Sequence, residues 1–137
     1  MDFVVDASIA IGWLLESQAN PLTIAAENSL LRATGWVPHH FGIEVLRTLH
    51  AHERRGLLAA ETVDSALVQL RELPLKQDEG DWMASLGPTV ALARRHRLRV
   101  SDACYLELAL RTRLPLATRD AALAAAAEKA GAVLFTP

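Results

Sequence analysis

The chain has 137 residues, 51% of them hydrophobic and 22% charged, which is enough for one domain around a single core and too little for two typical ones. A formal net charge of −2 excludes a broadly basic coat for nucleic acid, so any nucleic-acid partner must be held locally. The lone cysteine, Cys104, excludes an intrachain disulfide and with it a disulfide-stapled secreted fold.

A reducing cytoplasm is therefore the expected compartment. The N-terminus carries Asp2 and Asp6 and no Lys or Arg, the opposite of a signal peptide's basic start. No uninterrupted apolar run approaches the roughly 18 residues of a membrane span, so a soluble protein with no membrane partner is expected. Short β-like runs alternate with long Ala- and Leu-rich helical ones, the pattern of an α/β fold.

Phe3 to Asp6 reads as a fully apolar strand that stops at a carboxylate, followed by Ala7-Ser8 and a helical run from Ile9 to Leu15. Ligands of open α/β sheets gather beyond the carboxyl ends of strands, which is the address of Asp6. A second reading of Asp6 is a plain helix cap, and Ser8 fits a cap and a site role equally well. Asn20-Pro21 opens a helix over Leu22–Arg32, since proline is favoured at a first helical position.

Gly35-Trp36-Val37-Pro38 resembles a second strand, leading through His39-His40 into a helix from Phe41 to Arg55 that Gly56 stops. Glu44 falls in the first turn of that helix and so shares the address of Asp6. Taken alone, it reads as the surface ion-pair partner of Arg47 at i+3. An amphipathic helix over Ala59–Leu73 ends before Pro74, and the two helices around Gly56 are expected to form a hairpin.

Lys76 to Asp81, KQDEGD, is predicted as a solvated acidic loop. Asp81 to Arg97 reads as helical, with Gly87-Pro88 predicting a break or kink inside it. Arg94, Arg95, Arg97 and Arg99 cluster at its end. There cations suit the helix dipole, and a patch touching RNA is the second reading.

Ser101 is a candidate helix cap and Asp102 suits a first turn, where orphan N–H groups favour an anion. Leu106, Ala109 and Leu110 give the apolar stripe of that helix, which Pro115 ends near Arg113. Leu116-Ala117-Thr118 then reads as a buried strand. About eleven helical residues at roughly 1.5 Å each carry the chain some 16 Å out. About five extended residues at roughly 3.3 Å each bring it back, so Asp120 returns to the edge where Asp102 began. An Ala-rich helix over Ala121–Ala130 ends at Gly131, and Ala132–Phe135 is predicted as a last buried strand.

Gathered at one edge, Asp6, Glu44, Asp102 and Asp120 would repel one another strongly in a partly dry cleft. No lysine stands near them, and only Arg47 and Arg119 lie beside them in sequence. A hard divalent cation resolves the conflict. Mg²⁺ and Mn²⁺ prefer carboxylate and water oxygens, and they activate water and stabilise the leaving oxygen in phosphodiester hydrolysis. The cluster therefore reads as that of a phosphoryl-transfer hydrolase.

The order strand-Asp6, helix-borne Glu44, helix-opening Asp102 with Tyr105 and Ala109 after it, and Thr118-Arg119-Asp120 closing a strand resembles the PIN domain. Within that family it is most similar to the VapC-type toxins of bacterial toxin–antitoxin pairs, along nearly the whole chain from Phe3 to Phe135. The resemblance implies one PIN domain over residues 1–137, with a short parallel β-sheet between flanking helices in three layers. It implies a Mg²⁺- or Mn²⁺-dependent endoribonuclease leaving 5′-phosphate and 3′-hydroxyl ends, a homodimer, RNA as substrate and a small cognate antitoxin as partner.

It further implies Asp6, Glu44 and Asp102 as metal ligands, directly or through water, with Asp120 completing the catalytic cluster and Thr118 and Ser8 in support. Arg47 stands where such proteins often carry a small amide, which implies either an altered substrate pocket or a phosphate contact. Ser101 departs from the usual residue before the third acid with little consequence.

The residues allow three other readings. A zinc site at His39-His40 or His50-x-His52 lacks any cysteine or HExxH spacing. A haloacid-dehalogenase-like enzyme with Asp6 as nucleophile needs a second acid nearby and a lysine near a late strand, whereas position 8 is serine and Lys129 lies in a helix. A catalytically silent PIN-like module that binds RNA or protein remains the alternative.

Overall fold

The computed structural model describes the whole chain, Met1–Pro137. Its elements are β1 (Phe3–Val5), α1 (Ala7–Leu14), a 3₁₀ turn (Glu16–Gln18), α2 (Pro21–Ser29), β2 (Gly35–Val37), α3 (Phe41–Arg54), α4 (Ala60–Glu72), β3 (Leu75–Gln77), α5 (Trp82–His96), α6 (Val100–Thr112), β4 (Leu116–Ala117) and α7 (Ala121–Ala130). The strands form one parallel sheet in the order β3-β2-β1-β4, with Val4 opposite both Trp36 and Leu116.

That order fixes the layers. The path β1→β2→β3 steps in one direction, so right-handed crossovers put α1 to α4 on one face. The return from β3 to β4, beyond β1, puts α5 and α6 on the other. The contacts agree: α1 packs on α2, α3 and α4, while α6 packs on α5, α7, β1 and β4. β1 is covered on both faces and all three of its residues are buried, which explains its uninterrupted apolar sequence. Its C-terminal end is also where the strand order reverses, the place at which such sheets open a crevice.

Local chemistry sets the helix starts. Asn20 and Thr23 form a reciprocal capping box at α2, with Pro21 in its first turn. Asp6 and Asp120 cap α1 and α7 through their side chains, and Gly131 ends α7 in the left-handed conformation that glycine adopts without a Cβ penalty. Phe41, Val45 and Leu49, spaced four apart, form the buried stripe of α3.

Four expectations are corrected. Leu75–Gln77 is a strand, the sheet's edge, so the predicted loop begins only at Asp78, and Asp78 is held by Arg111 instead of being solvated. α5 runs through Gly87-Pro88 without the predicted break; both residues are exposed, so the carbonyl that loses its partner to proline faces water. α6 starts one residue before Ser101, with Arg99 at the cap position and no side-chain cap. The last strand shrinks to one parallel bridge between Leu116 and Leu134, tied by Leu116 N–H to Val133 O and Phe135 N–H to Leu116 O, both within 2.9 Å.

The contact between α1 and α2 has no room to spare. A Cβ on Gly12 would stand 2.5 Å from Thr23 Cγ2 and 2.9 Å from its Cβ, and Thr23 is wholly buried within the capping box. Gly12→Ala gains roughly 0.5–1 kcal/mol of helix propensity but overpacks a rigid site, at about 1–3 kcal/mol. A net loss of about 1–2 kcal/mol is expected, read as a lower urea midpoint at unchanged m-value.

Candidate active site

The register of β1 against β4, Val5 beside Ala117, brings the next residues on each strand, Asp6 and Thr118, side by side. Thr118 Oγ1 donates to Asp6 Oδ2. Ser8 Oγ donates to the same oxygen at 3.0 Å and Ser8 N–H to Oδ1 at 3.4 Å. Both hydroxyls are in turn acceptors, Ser8 Oγ from Arg119 N–H at 3.1 Å and Thr118 Oγ1 from Asp120 N–H at 3.0 Å. Asp6 is 5% exposed, and none of these donors carries a charge. Burial therefore pushes its carboxyl above the usual range, against the pull of the hydroxyls, and the negative charge of Glu44 adds to the rise.

Glu44 enters from α3. Tyr105, wholly buried on α6, donates its hydroxyl to Glu44 Oε1 at 2.6 Å. His40 Nε2 lies 2.8 Å from the same oxygen, but off the line of a hydrogen bond, with its ring against Tyr105 at a centroid distance of 5.1 Å. Burial raises the Glu44 carboxyl, but proximity to His40, the Tyr105 hydroxyl and the charge of Arg47 outweigh it and hold the group below its ordinary value. Burial and the Glu44 carboxylate push the Tyr105 phenol well up, so it stays a donor.

Asp102 sits in the first turn of α6 with Arg99 Nε at 3.3 Å. Burial raises its carboxyl more than Arg99 lowers it, and the charges of Asp120 and Glu44 push the same way. Asp120 caps α7, its Oδ1 accepting from Ala122 N–H at 2.9 Å and Leu123 N–H at 3.1 Å.

All four acids, with Ser8, line one cleft of about 290 Å³. Thr118 stands behind it, hydrogen-bonded to Asp6. Arg47 does not line it; that side chain faces a separate hollow with Ile43, Leu46 and His50, and only its charge reaches Glu44. The larger hollow of about 730 Å³, between α5 and α6, is lined by Trp82, Leu86, Val90 and Val100 among others. It is roomier but gathers none of the four acids.

Sequence reasoning missed several cleft residues. Arg119 donates through its guanidinium to Gln18 O and Gln18 Oε1, tying the loop after β4 to the 3₁₀ turn. His52 Nδ1 is 2.8 Å from Thr48 O, and both residues line the cleft. The position of Arg99, three before Asp102, was the available signal for their pairing. Gln18 left none.

The donor set is all carboxylate and hydroxyl oxygen, and the most buried acid has no cationic partner. That chemistry fits a hard divalent cation such as Mg²⁺ or Mn²⁺. No three His, Cys, Asp or Glu side chains converge tightly enough to cage an ion by themselves.

A family model of the PIN domain matches residues 3–129. The chain belongs to the PIN domain family. Ribonuclease VapC3 of Mycobacterium tuberculosis, from strains CDC 1551 / Oshkosh and ATCC 25618 / H37Rv alike, is 37% identical over 130 residues, covering 95% of this chain and 90% of that protein. Among solved structures, PAE2754 from Pyrobaculum aerophilum superposes with a TM-score of 0.69 at 21% identity, over 92% of this chain and 84% of that one. FitAcB from Neisseria gonorrhoeae superposes with a TM-score of 0.65 at 17% identity, over 100% and 98%. These two likenesses establish the fold, and the VapC3 match places this PIN domain with the VapC-type members.

In this PIN domain the raised carboxyl of Asp6 has a thermodynamic consequence. The folded state binds that proton more tightly than the unfolded chain, so its contribution falls as pH rises from the unfolded value near 3.8 through the folded one. Asp6→Asn keeps an oxygen for the α1 cap and removes the buried charge. In EDTA the variant's melting temperature is expected to equal or exceed the parent's at pH 7, with any advantage disappearing below about pH 4. A variant that melts lower at pH 7 contradicts this account.

Proposed function

We propose that this PIN domain is a divalent-metal-dependent endoribonuclease, the VapC-type toxin of a bacterial toxin–antitoxin pair. The reading is carried by one observation: Asp6, Glu44, Asp102 and Asp120, delivered by four separate segments, line a single cleft at the carboxyl edge of the sheet. Kinship at 37% identity to a ribonuclease supports RNA as the substrate.

Asp6, Glu44 and Asp102 would hold Mg²⁺ or Mn²⁺, directly or through water, and Asp120 completes the acidic cluster. The ion, when bound, supplies an activated water and charge neutralisation for phosphodiester hydrolysis. Ser8 and Thr118 fix the rotamer of Asp6 by donating to one of its oxygens, leaving the other facing Ser8 N–H and the cleft. Tyr105 fixes Glu44 in the same manner, with His40 beside the same oxygen. The products are a 5′-phosphate and a 3′-hydroxyl. Action in the cytoplasm, assembly as a homodimer and inhibition by a small cognate antitoxin belong to the same proposal.

Asp6→Asn and Asp102→Asn are each expected to lower Mn²⁺-dependent RNA cleavage by about a hundredfold or more, the scale of losing one transition-state electrostatic contact. Both are also expected to abolish the rise in melting temperature that Mn²⁺ produces in the parent. Undiminished cleavage by either variant refutes the catalytic assignment. Mn²⁺ stabilisation of the parent without any RNA cleavage favours the silent binding module. Purification from the native cell at low salt is expected to bring down a small partner in stoichiometric amount, and its absence points to a solitary nuclease.

A further inference from the structure

We infer that the corner between α5 and α6, Arg94 to Arg99, is the track on which a single-stranded RNA backbone is led to the acidic cleft. The sequence assigns these arginines two roles, as a solvated helix end or as an RNA contact. Two structural observations favour the second.

The first is continuity. Arg99 belongs to the cleft lining and its side chain, 81% exposed, places Nε 3.3 Å from Asp102, so the basic stretch runs up to the acids themselves. A side chain that exposed is free to exchange a carboxylate for a phosphate. The second is the lack of internal neutralisation. Arg94, Arg95 and Arg97 are all exposed and none takes part in any of the chain's ion pairs. Four of the fourteen Lys and Arg residues thus fall within six positions of a chain whose net charge is −2. A diffuse solubilising role would not require such crowding.

Arg97 is the C-cap of α5, in the left-handed conformation at φ 54°, as Arg113 is at the end of α6 at φ 57°; a glycine there meets no Cβ conflict. The chain span from Arg94 to Arg99 is at most about 17 Å, enough to follow a few nucleotides. An acidic cleft alone would repel a polyanion, and this strip is the local attraction that the overall charge does not provide.

The assignment rests on the nuclease reading only in naming the polyanion as RNA. Binding of a fluorescein-labelled 20-nucleotide single-stranded RNA, measured by anisotropy in EDTA from 50 to 200 mM KCl, tests it without turnover. Each phosphate contact on a single strand contributes about 0.7 to the slope of log K against log salt. Replacing Arg94, Arg95 and Arg97 together by Gln is expected to flatten that slope by about 2. The equal-charge control, with exposed Arg32, Arg71 and Lys129 replaced by Gln, is expected to keep the parent's slope.

Arg97→Gly is expected to weaken RNA binding while raising the melting temperature, and Arg97→Lys to retain binding. No RNA binding by the parent at 50 mM KCl, equal flattening in both triple variants, or full binding by Arg97→Gly overturns the inference. Hydrolysis of bis(p-nitrophenyl) phosphate by the parent in Mn²⁺ tests the cleft without a strand to guide. Its absence sinks the nuclease reading and leaves the slope result standing, whereas its presence with an unchanged slope sinks the strip alone.

Discussion

A buried carboxylate with no cation of its own is the constraint around which this domain is built. Asp6 is desolvated at the end of the central strand and is met only by hydroxyls and a backbone N–H. Neutral donors lower the cost of burying a charge but do not cancel it. The arrangement persists because β1 and β4 over-determine it. Their register sets Thr118 against Asp6, and the Thr118 and Ser8 hydroxyls are themselves pinned by Asp120 and Arg119 N–H groups. One acid is thus held by a relay that also positions a second, so two members of the cluster are not independent.

The other pair is joined through the sheet's two helical layers. Glu44 comes from α3 on one face and Tyr105 from α6 on the other, and their 2.6 Å hydrogen bond closes over the end of β1. Tyr105 lies three residues beyond Asp102 on the same helix, so the residue that orients one acid shares a rigid body with another. Charge repulsion among the acids is therefore opposed by a framework of hydrogen bonds within the fold. Such stored repulsion is the condition under which a cation is bound most gainfully.

Much of this was legible in the residues. The alternation of apolar runs gave α/β class, Pro and Gly punctuation gave most helix ends, and simple out-and-back geometry put Asp102 and Asp120 at one edge. What escaped has physical causes. Leu75–Gln77 is a strand in spite of Lys76 and Gln77 because an edge strand needs only one covered side, and its short polar run is indistinguishable from a loop by pattern. Ala132–Phe135 looked like a strand for the opposite reason: its apolarity serves packing, with Phe135 against Phe3 at 4.8 Å between ring centroids, and only one bridge forms. Pro88 is tolerated because it falls on the solvent side of α5, which no period in the sequence discloses. The partnerships of Gln18 with Arg119 and of Asp78 with Arg111 link residues 101 and 33 positions apart, and nothing local encodes them.

The sheet's free margin carries one more implication. β3 is three residues long, Lys76 and Gln77 on it are exposed, and Lys76 Nζ reaches over the ring of Trp36 at 5.9 Å. At the opposite margin β4 is screened by the Leu134 bridge. A strip this brief and charged is a poor template for a foreign strand, so the margins of this sheet disfavour edge-to-edge pairing between copies.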